Sequence, residues 1–335
     1  MKRIHLGLIA SGIIVMLALT FGANAAPEDG LNYSYQNGKV VLETGNVTLT
    51  VHTLSHEPIF QYQTETGLQY TVIFKQIIEY VDTNSDGAFQ YNETVPSIPV
   101  LSLTSVNWDF SGFQVDEVDG VATAVHFNFT VERVNGVFYK DLDMTIAAHF
   151  YMTDQEVEGY TVEGGYELKF DIIIKQFPWM AEDTNLVIRF DMMPSKFASM
   201  HDPQGHNVDP NTNTTMNEKK IQHQNQVKNM FNFTYEGETG YFAYANQSQV
   251  RNQTEQQYRF APVNASYSTD GKGDVRIFLS FEHADDIIYD PSIGATVEES
   301  SSETTEDNTT VTPISITMAV IALLGTAALL TVKRK

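Results

Sequence analysis

The stretch TAVHFNFTVERV, Thr123 to Val134, decides the fold class. Val125, Phe127, Phe129 and Val131 alternate with His126, Asn128, Thr130 and Glu132. A period of two sends the apolar side chains to one face of a strand and the polar ones to the other. Asn135-Gly136 follows, the dipeptide that most readily accepts positive φ at both centres of a tight hairpin turn. A turn there pairs Phe129 with Leu142, Phe127 with Met144 and Val125 with Ile146. The wet face pairs Asn128 with Asp143 and Thr130 with Asp141. Like meets like on both faces, so the expected register is consistent with itself.

The same grammar recurs along the chain. Asn37-Gly38 sits between YSYQ and KVVLE, and Val47, Leu49 and Val51 alternate after Gly45. Further alternating sets are Leu168, Phe170, Ile172, Ile174, then Leu186, Ile188, Phe190, and finally Val275, Ile277, Leu279, Phe281. Turns at Asp202-Pro203, Asp209-Pro210 and Asp290-Pro291 interrupt the runs. Many short strands with hairpin turns and few helical stripes predict a mainly β protein, an antiparallel β-sandwich. One large sandwich and two tandem ones, split within residues 160–195, both fit. Residues 194–228 are too polar for core strand and read as a surface excursion, with a short helix around Glu218 to Met230.

Both ends read as address labels. Residues 1–25 carry Lys2 and Arg3, an apolar run from Leu6 to Phe21, and Ala23-Asn24-Ala25, the pattern of a cleaved signal peptide. Ile314 to Val332 is nineteen mostly apolar residues followed by Lys333-Arg334-Lys335. As a helix it spans roughly 28 Å, enough for a bilayer core of about 30 Å. The basic tail, 333–335, stays cytoplasmic by the positive-inside rule, and a lipid-anchor tail normally ends without such a cluster. Whether this helix is retained or processed is open. Residues 296–313 are rich in Ser, Thr and Glu and hold too little apolar surface to order, so they read as a stalk. Residues 26–295 are left as the β-rich ectodomain.

The chain has no cysteine, and ten Asn-x-Ser/Thr sequons begin at Asn32, Asn46, Asn92, Asn128, Asn213, Asn232, Asn246, Asn252, Asn264 and Asn308. An exported eukaryotic ectodomain of this size usually holds itself together with disulfides. In architecture, the combination of no cysteine, dense sequons and a C-terminal anchor resembles archaeal C-terminally anchored cell-surface glycoproteins. That resemblance implies a single-pass protein with its N-terminal ectodomain outside the cell. The formal net charge of −22 becomes about −24 once the signal peptide removes Lys2 and Arg3. Such a surface argues against nucleic acid and suits solubility and cations.

The residues with the most chemistry are Asp82 to Glu93, DTNSDGAFQYNE, which meet D-x-[DN]-x-[DN]-G-x5-E in full. Asp82, Asn84 and Asp86 offer hard oxygens, Gly87 permits the sharp turn, and the Ala88 carbonyl, Gln90 and Glu93 complete a calcium set. Phe89 supplies the apolar anchor. The loop resembles that of an EF-hand over these twelve residues. Phe74, Ile77, Ile78 and Val81 have the spacing of an entering helix, yet QYTVIFKQIIEYV also reads as strand. Pro96 and Pro99 forbid an exiting helix, and no second complete loop pairs with this one. An ordinary surface turn of Asp, Asn, Ser and Gly is the competing reading. A lone loop of this kind predicts a structural calcium clip of weak affinity, about 0.1–1 mM, and no switch. Asn92 places a sequon one residue before Glu93, and a side chain at that position can point outwards, so that glycan and calcium coexist.

Other constellations are weaker. His201 and His206, near Met192, Met193, Met200 and Met216, have ligand chemistry for copper or zinc but no established spacing. Trp108 and Phe177-Pro178-Trp179 offer a sugar-stacking platform or simply core. Glu282, His283, Asp285, Asp286 and Asp290 offer a second cation patch or a solvated strand end. No HExxH, nucleophile elbow, P-loop or dinucleotide fingerprint is present in the sequence. The expectation is a non-enzymatic, membrane-anchored surface glycoprotein for adhesion, envelope structure or ligand binding, with glycans or other surface proteins as partners. A polysaccharide-binding module and a surface hydrolase of glycans or peptides are the alternatives.

Overall fold

The computed structural model describes residues 30–53, 58–157, 160–195, 199–201, 221–223, 226–235, 238–269 and 274–297. The expected signal peptide, transmembrane helix and basic tail lie outside these residues. Among the described residues no helix is long and apolar enough to cross a membrane. The last strand, Ser292–Val297, runs two residues into the span read as stalk, because its ladder with Glu238–Ala245 continues to the Glu238–Val297 pair.

The protein is mainly β, with antiparallel sheets. The first sheet runs in the order Asn32–Gln36, Lys39–Glu43, Val47–His52, Ile59–Thr64, Gln69–Tyr80, Asn185–Pro194, Val275–Phe281, Asn264–Thr269. The spine of the second runs Gln226–Tyr235, Glu238–Ala245, Ser292–Val297, Glu167–Lys175, Asp143–Tyr151, Val121–Val134, Val106–Phe110. Buried residues of both sheets form one continuous core, from Leu31 to Ala295. The expected alternating sets supply it: Val47, Leu49, Val51, then Leu168 to Ile174, Leu186 to Phe190 and Val275 to Phe281 are all buried at every second position.

Asn37 and Gly38 make the expected tight turn, with φ of 52° and 73°, and join Gln36 to Lys39. The long hairpin differs from expectation. Phe129 faces Ile146, Phe127 faces Ala148 and Val125 faces Phe150, four residues beyond the partners a turn at Asn135-Gly136 would give. Asn135 is drawn instead to the neighbouring strand: its amide donates to the Ser105 carbonyl at 2.8 Å, and its side chain to Asn107 Oδ1 at 2.8 Å. Gly136 is extended, with φ 158°. The wider connection buries Tyr139 and Leu142, and the Tyr139 hydroxyl donates to the Pro99 carbonyl at 3.1 Å. Burying two large side chains contributes roughly 3–6 kcal/mol, more than the single hydrogen bond of a tight turn at about 1 kcal/mol. A slip by an even number keeps every side chain on its expected face.

Gln69–Tyr80 is a strand throughout. Arg189 faces Gln76 while Phe190 faces Phe74, so Lys75 is the extra residue of a β-bulge. Before it, Tyr70, Val72 and Phe74 enter the core between the sheets. After it, Ile77 does, and Ile78 and Tyr80 turn to the outer face. The helix-like spacing of Phe74, Ile77 and Ile78 is this change of phase. The helix expected around Glu218 to Met230 is likewise replaced by strands, Ile221–His223 and Gln226–Tyr235. Phe231 and Phe233 alternate into the core there, and Gln226–Tyr235 finds a full ladder on Glu238–Ala245.

Aromatic rings interlock across the interface. Phe170 of the second sheet lies 4.7 Å from Phe60 and 5.6 Å from Phe74 of the first, edge to face in both cases. Phe190 meets Phe242 at 5.0 Å, and Tyr70 meets Phe233 at 5.0 Å. The Tyr70 hydroxyl crosses the core to donate to the carbonyls of Tyr241 and Gly294, at 3.1 and 2.9 Å. Burial pushes that hydroxyl above the ordinary phenol range, so it remains a donor. Phe170→Ala is expected to lower the unfolding free energy by about 3–5 kcal/mol, read from a shifted denaturant midpoint at unchanged slope.

Candidate metal loop

The chain leaves the first sheet at Tyr80, passes through residues 81–90, and returns through the short 3-10 turn Tyr91–Glu93 to a bridge between Tyr80 and Thr94. Ile78 and Tyr80 face outwards beyond the bulge, so this segment has an apolar floor to fold onto. Phe89, buried, closes a satellite core with Ile78, Tyr80, Val187 and Phe278. Its amide donates to Ser280 Oγ at 3.0 Å, and its carbonyl accepts from Ser266 Oγ at 2.6 Å. The loop is therefore fastened to two strands nearly two hundred residues later in the chain.

Inside the loop the polar groups hold one another. Gly87 N–H donates to Asp82 Oδ2 at 2.9 Å, Asp86 N–H to Asn84 Oδ1 at 3.0 Å, and Ala88 N–H to Asp86 Oδ1 at 2.8 Å. Gln90 Nε2 and Asn84 Nδ2 both donate to Asp86 Oδ2, at 3.0 and 2.8 Å. Glu93, 2 % exposed, reaches back across the loop. Its Oε1 accepts from the amide and hydroxyl of Thr83 at 3.0 and 3.1 Å, and its Oε2 from the Gln90 amide at 2.9 Å. Asp82 Oδ1 is buried and has no hydrogen-bond partner. Residues 81–100 contain three carboxylates and no Lys, Arg or His. Asn92 is exposed while Glu93 turns inwards.

The loop thus brings Asp82, Asn84, Asp86 and Gln90 into one hydrogen-bonded turn and closes it with Glu93. Among the described residues no three His, Cys, Asp or Glu side chains stand together at metal-ligand distance. The acids rest on the loop's own donors. The anchoring serines 266 and 280 gave no local signal in the sequence, because only the sheet brings them to Phe89. Asn264 also packs here: a Cβ on Gly87 would come within 2.3 Å of its Nδ2.

The other sequence candidates separate. Residues 202–220, with His206 and Met216, lie outside the described residues, and so do the Asn213 and Asn308 sequons. Asn32, Asn46, Asn92 and Asn246 are exposed, Asn128, Asn252 and Asn264 are half-buried, and Asn232 is 8 % exposed. The tryptophans form no stacking platform. Trp108 and Trp179 pack on the core, with their indole N–H groups on the carbonyls of Leu103 and Ala284. His283 covers Trp179 at 3.9 Å between ring centres. The acidic patch at residues 282–290 is engaged with partners of its own. Glu282 pairs with Arg259, Asp290 with Lys169, and Asp285 accepts from the Gln253 amide at 2.7 Å. Asp286 accepts from Arg251, the Tyr258 hydroxyl at 3.2 Å and the Gln176 amide at 3.0 Å.

No protein-family model matches the chain, and a search of curated proteins finds no match either.

Two measurements check these contacts. Gly87 has φ +75° and no room for a Cβ, so Gly87→Ala is expected to destabilise the protein by about 1–3 kcal/mol, seen as a lower Tm. Burial raises the Asp286 carboxyl, but the Gln176 amide, Arg251 and Tyr258 outweigh it and hold the group below the usual carboxylate range. Its contribution to stability is present above the unfolded value of about 3.9 and lost as pH falls through the lower folded value. Asp286→Asn is therefore expected to melt below the parent at neutral pH, with the gap closing in acid below about pH 4.

Proposed function

We propose that the chain is a membrane-anchored extracellular glycoprotein whose β-sandwich is clipped by one structural calcium ion at residues 82–93, serving adhesion, envelope structure or ligand binding. The observation that carries the calcium reading is the buried, unpartnered Asp82 Oδ1 in a loop of three carboxylates with no basic residue. Hard carboxylate, amide and carbonyl oxygens are the donor chemistry of this ion. Asp82, Asn84, Asp86, the Ala88 carbonyl, Gln90 and Glu93 would hold it. Bound calcium supplies a positive centre that neutralises the three acids and ties the start of the loop to its end.

The chain's own bonds set the strength of the site. A carboxylate offers about four acceptor positions, and Glu93 spends three on Thr83 and Gln90. Glu93 must release some of these to embrace an ion with both oxygens, so part of the binding free energy is consumed. That supports an affinity of about 0.1–1 mM, suited to the outside of a cell. The benefit of the clip is local: it keeps Phe89 over Tyr80 and Phe278, and so covers the outer face of three central strands. The anchor, stalk and signal peptide rest on the sequence pattern of the two ends, and the glycans on the sequons.

Thermal melting of the full-length chain with calcium and with chelator tests this reading. At 10 mM calcium (about 10–100 times Kd) the ion is expected to add about 1.5–3 kcal/mol, or roughly 3–10 °C in Tm. Asp82→Ala should abolish the response. A Tm indifferent to chelator, or a response that survives Asp82→Ala, would remove calcium from the loop.

A further inference from the structure

The outer face of the second sheet carries a polar chain that the loop does not use. His126 and His149 are direct cross-strand partners on Val121–Val134 and Asp143–Tyr151. Val125, Phe127, Ala148 and Phe150 beside them enter the core, so the two imidazoles face away from it. Their Nδ1 atoms are 2.7 Å apart. Each ring turns its other nitrogen to a carboxylate on the next strand out: His126 Nε2 to Asp116 Oδ2 at 3.3 Å, and His149 Nε2 to Asp171 Oδ2 at 3.2 Å. Lys169 pairs with Asp171 and Asp290, and Tyr151 lies against both imidazoles. The histidine side chains are 17 % and 20 % exposed, so the pair is sheltered yet reachable.

The two Nδ1 atoms hydrogen-bond to each other, one ring donating and the other accepting. Both imidazoles are thereby held with Nδ1 facing Nδ1 and Nε2 facing a carboxylate, and Lys169 stands beside Asp171.

We propose that His126 and His149 chelate a divalent transition-metal ion of the zinc or copper class through their Nδ1 atoms. Three features support it. Imidazole nitrogen is the preferred ligand of these ions. Metal-bound histidines almost always donate the other ring N–H to a carboxylate, and both carboxylates are in place before any metal arrives. Asp116, Asp171 and Asp290 together outweigh Lys169, which leaves excess negative charge around the pair. Tetrahedral zinc with bonds of about 2.0–2.1 Å needs its two nitrogens about 3.3 Å apart. The rings must therefore separate by roughly 0.6 Å, within reach of small side-chain rotations; solvent completes the coordination. The exchange balances: the ion enters, the two Nδ1 lone pairs bind it, and the hydrogen that lay between them passes to solvent or to an Nε2 facing a carboxylate. The site stands on different strands from the calcium loop and does not depend on it.

The test is zinc titration of the full-length chain by calorimetry at neutral pH, with saturating calcium present. One zinc per chain should bind. His126→Gln and His149→Gln should each weaken binding at least tenfold, and Asp171→Asn by about 10–100-fold. Melting in chelator shows whether each variant is folded. Absence of zinc binding to the unaltered chain, or binding that survives both histidine substitutions, would overturn the proposal. Binding that falls instead with His201→Ala would place the ion elsewhere and also overturn it.

Discussion

Everything in this protein depends on two sheets staying face to face without a covalent bond between them. The chain has no cysteine, so side-chain packing must do what a disulfide does in many exported domains. Phe170, wedged between Phe60 and Phe74, is the centre of that contact. Each buried ring contributes about 1.5–3 kcal/mol from area and a further 0.5–1.5 kcal/mol from edge-to-face geometry. A handful of such rings exceeds the 2–4 kcal/mol typical of one disulfide. Tyr70 adds direction, because its two hydrogen bonds to the opposite sheet are made only when the sheets are in one relative position.

The bulge at Lys75 links that core to the loop. A strand without it would present Phe74, Gln76, Ile78 and Tyr80 to the same face. With it, Ile77 continues the inner core while Ile78 and Tyr80 become the floor for Phe89. The residues with EF-hand order therefore sit on a sheet and not at the end of a helix. They are fastened to that sheet through Phe89, held by Ser266 and Ser280, and Asn264 lies where any side chain on Gly87 would have to go.

Much of this was legible beforehand, and the exceptions share a cause. Alternation placed Val47, Leu49, Val51, Leu168 to Ile174 and Val275 to Phe281 in the core, because a half-buried strand leaves no other choice of face. The order of ligand-type residues in the loop was equally local. What failed was what depends on distant partners. The Asn135-Gly136 turn yielded to Ser105, Asn107 and Pro99, none of which is near it in sequence. The cost reached further than the hairpin, since the expected register set His126 opposite Thr145. Only the four-residue slip brings His126 to His149, and so the histidine pair was invisible to a pattern that had both faces right. Trp179 was ambiguous for the same reason: its covering residue, His283, comes a hundred residues later.

The order in which the strands pair has a kinetic side. Gln69–Tyr80 waits for Asn185–Pro194, which in turn waits for Val275–Phe281, and the second sheet closes only with Ser292–Val297. A chain emerging N-terminus first therefore cannot finish either sheet until almost the whole folded part is available. Long-range pairing of this kind places β proteins among the slow folders, at milliseconds to seconds. In the interval, the hairpins from Asn32 to Tyr80 carry an unpaired edge and an uncovered aromatic face, the features that invite association with other chains. The same topology that makes the finished sandwich cohesive leaves the hairpins from Asn32 to Tyr80 dependent on protection until the last strand arrives.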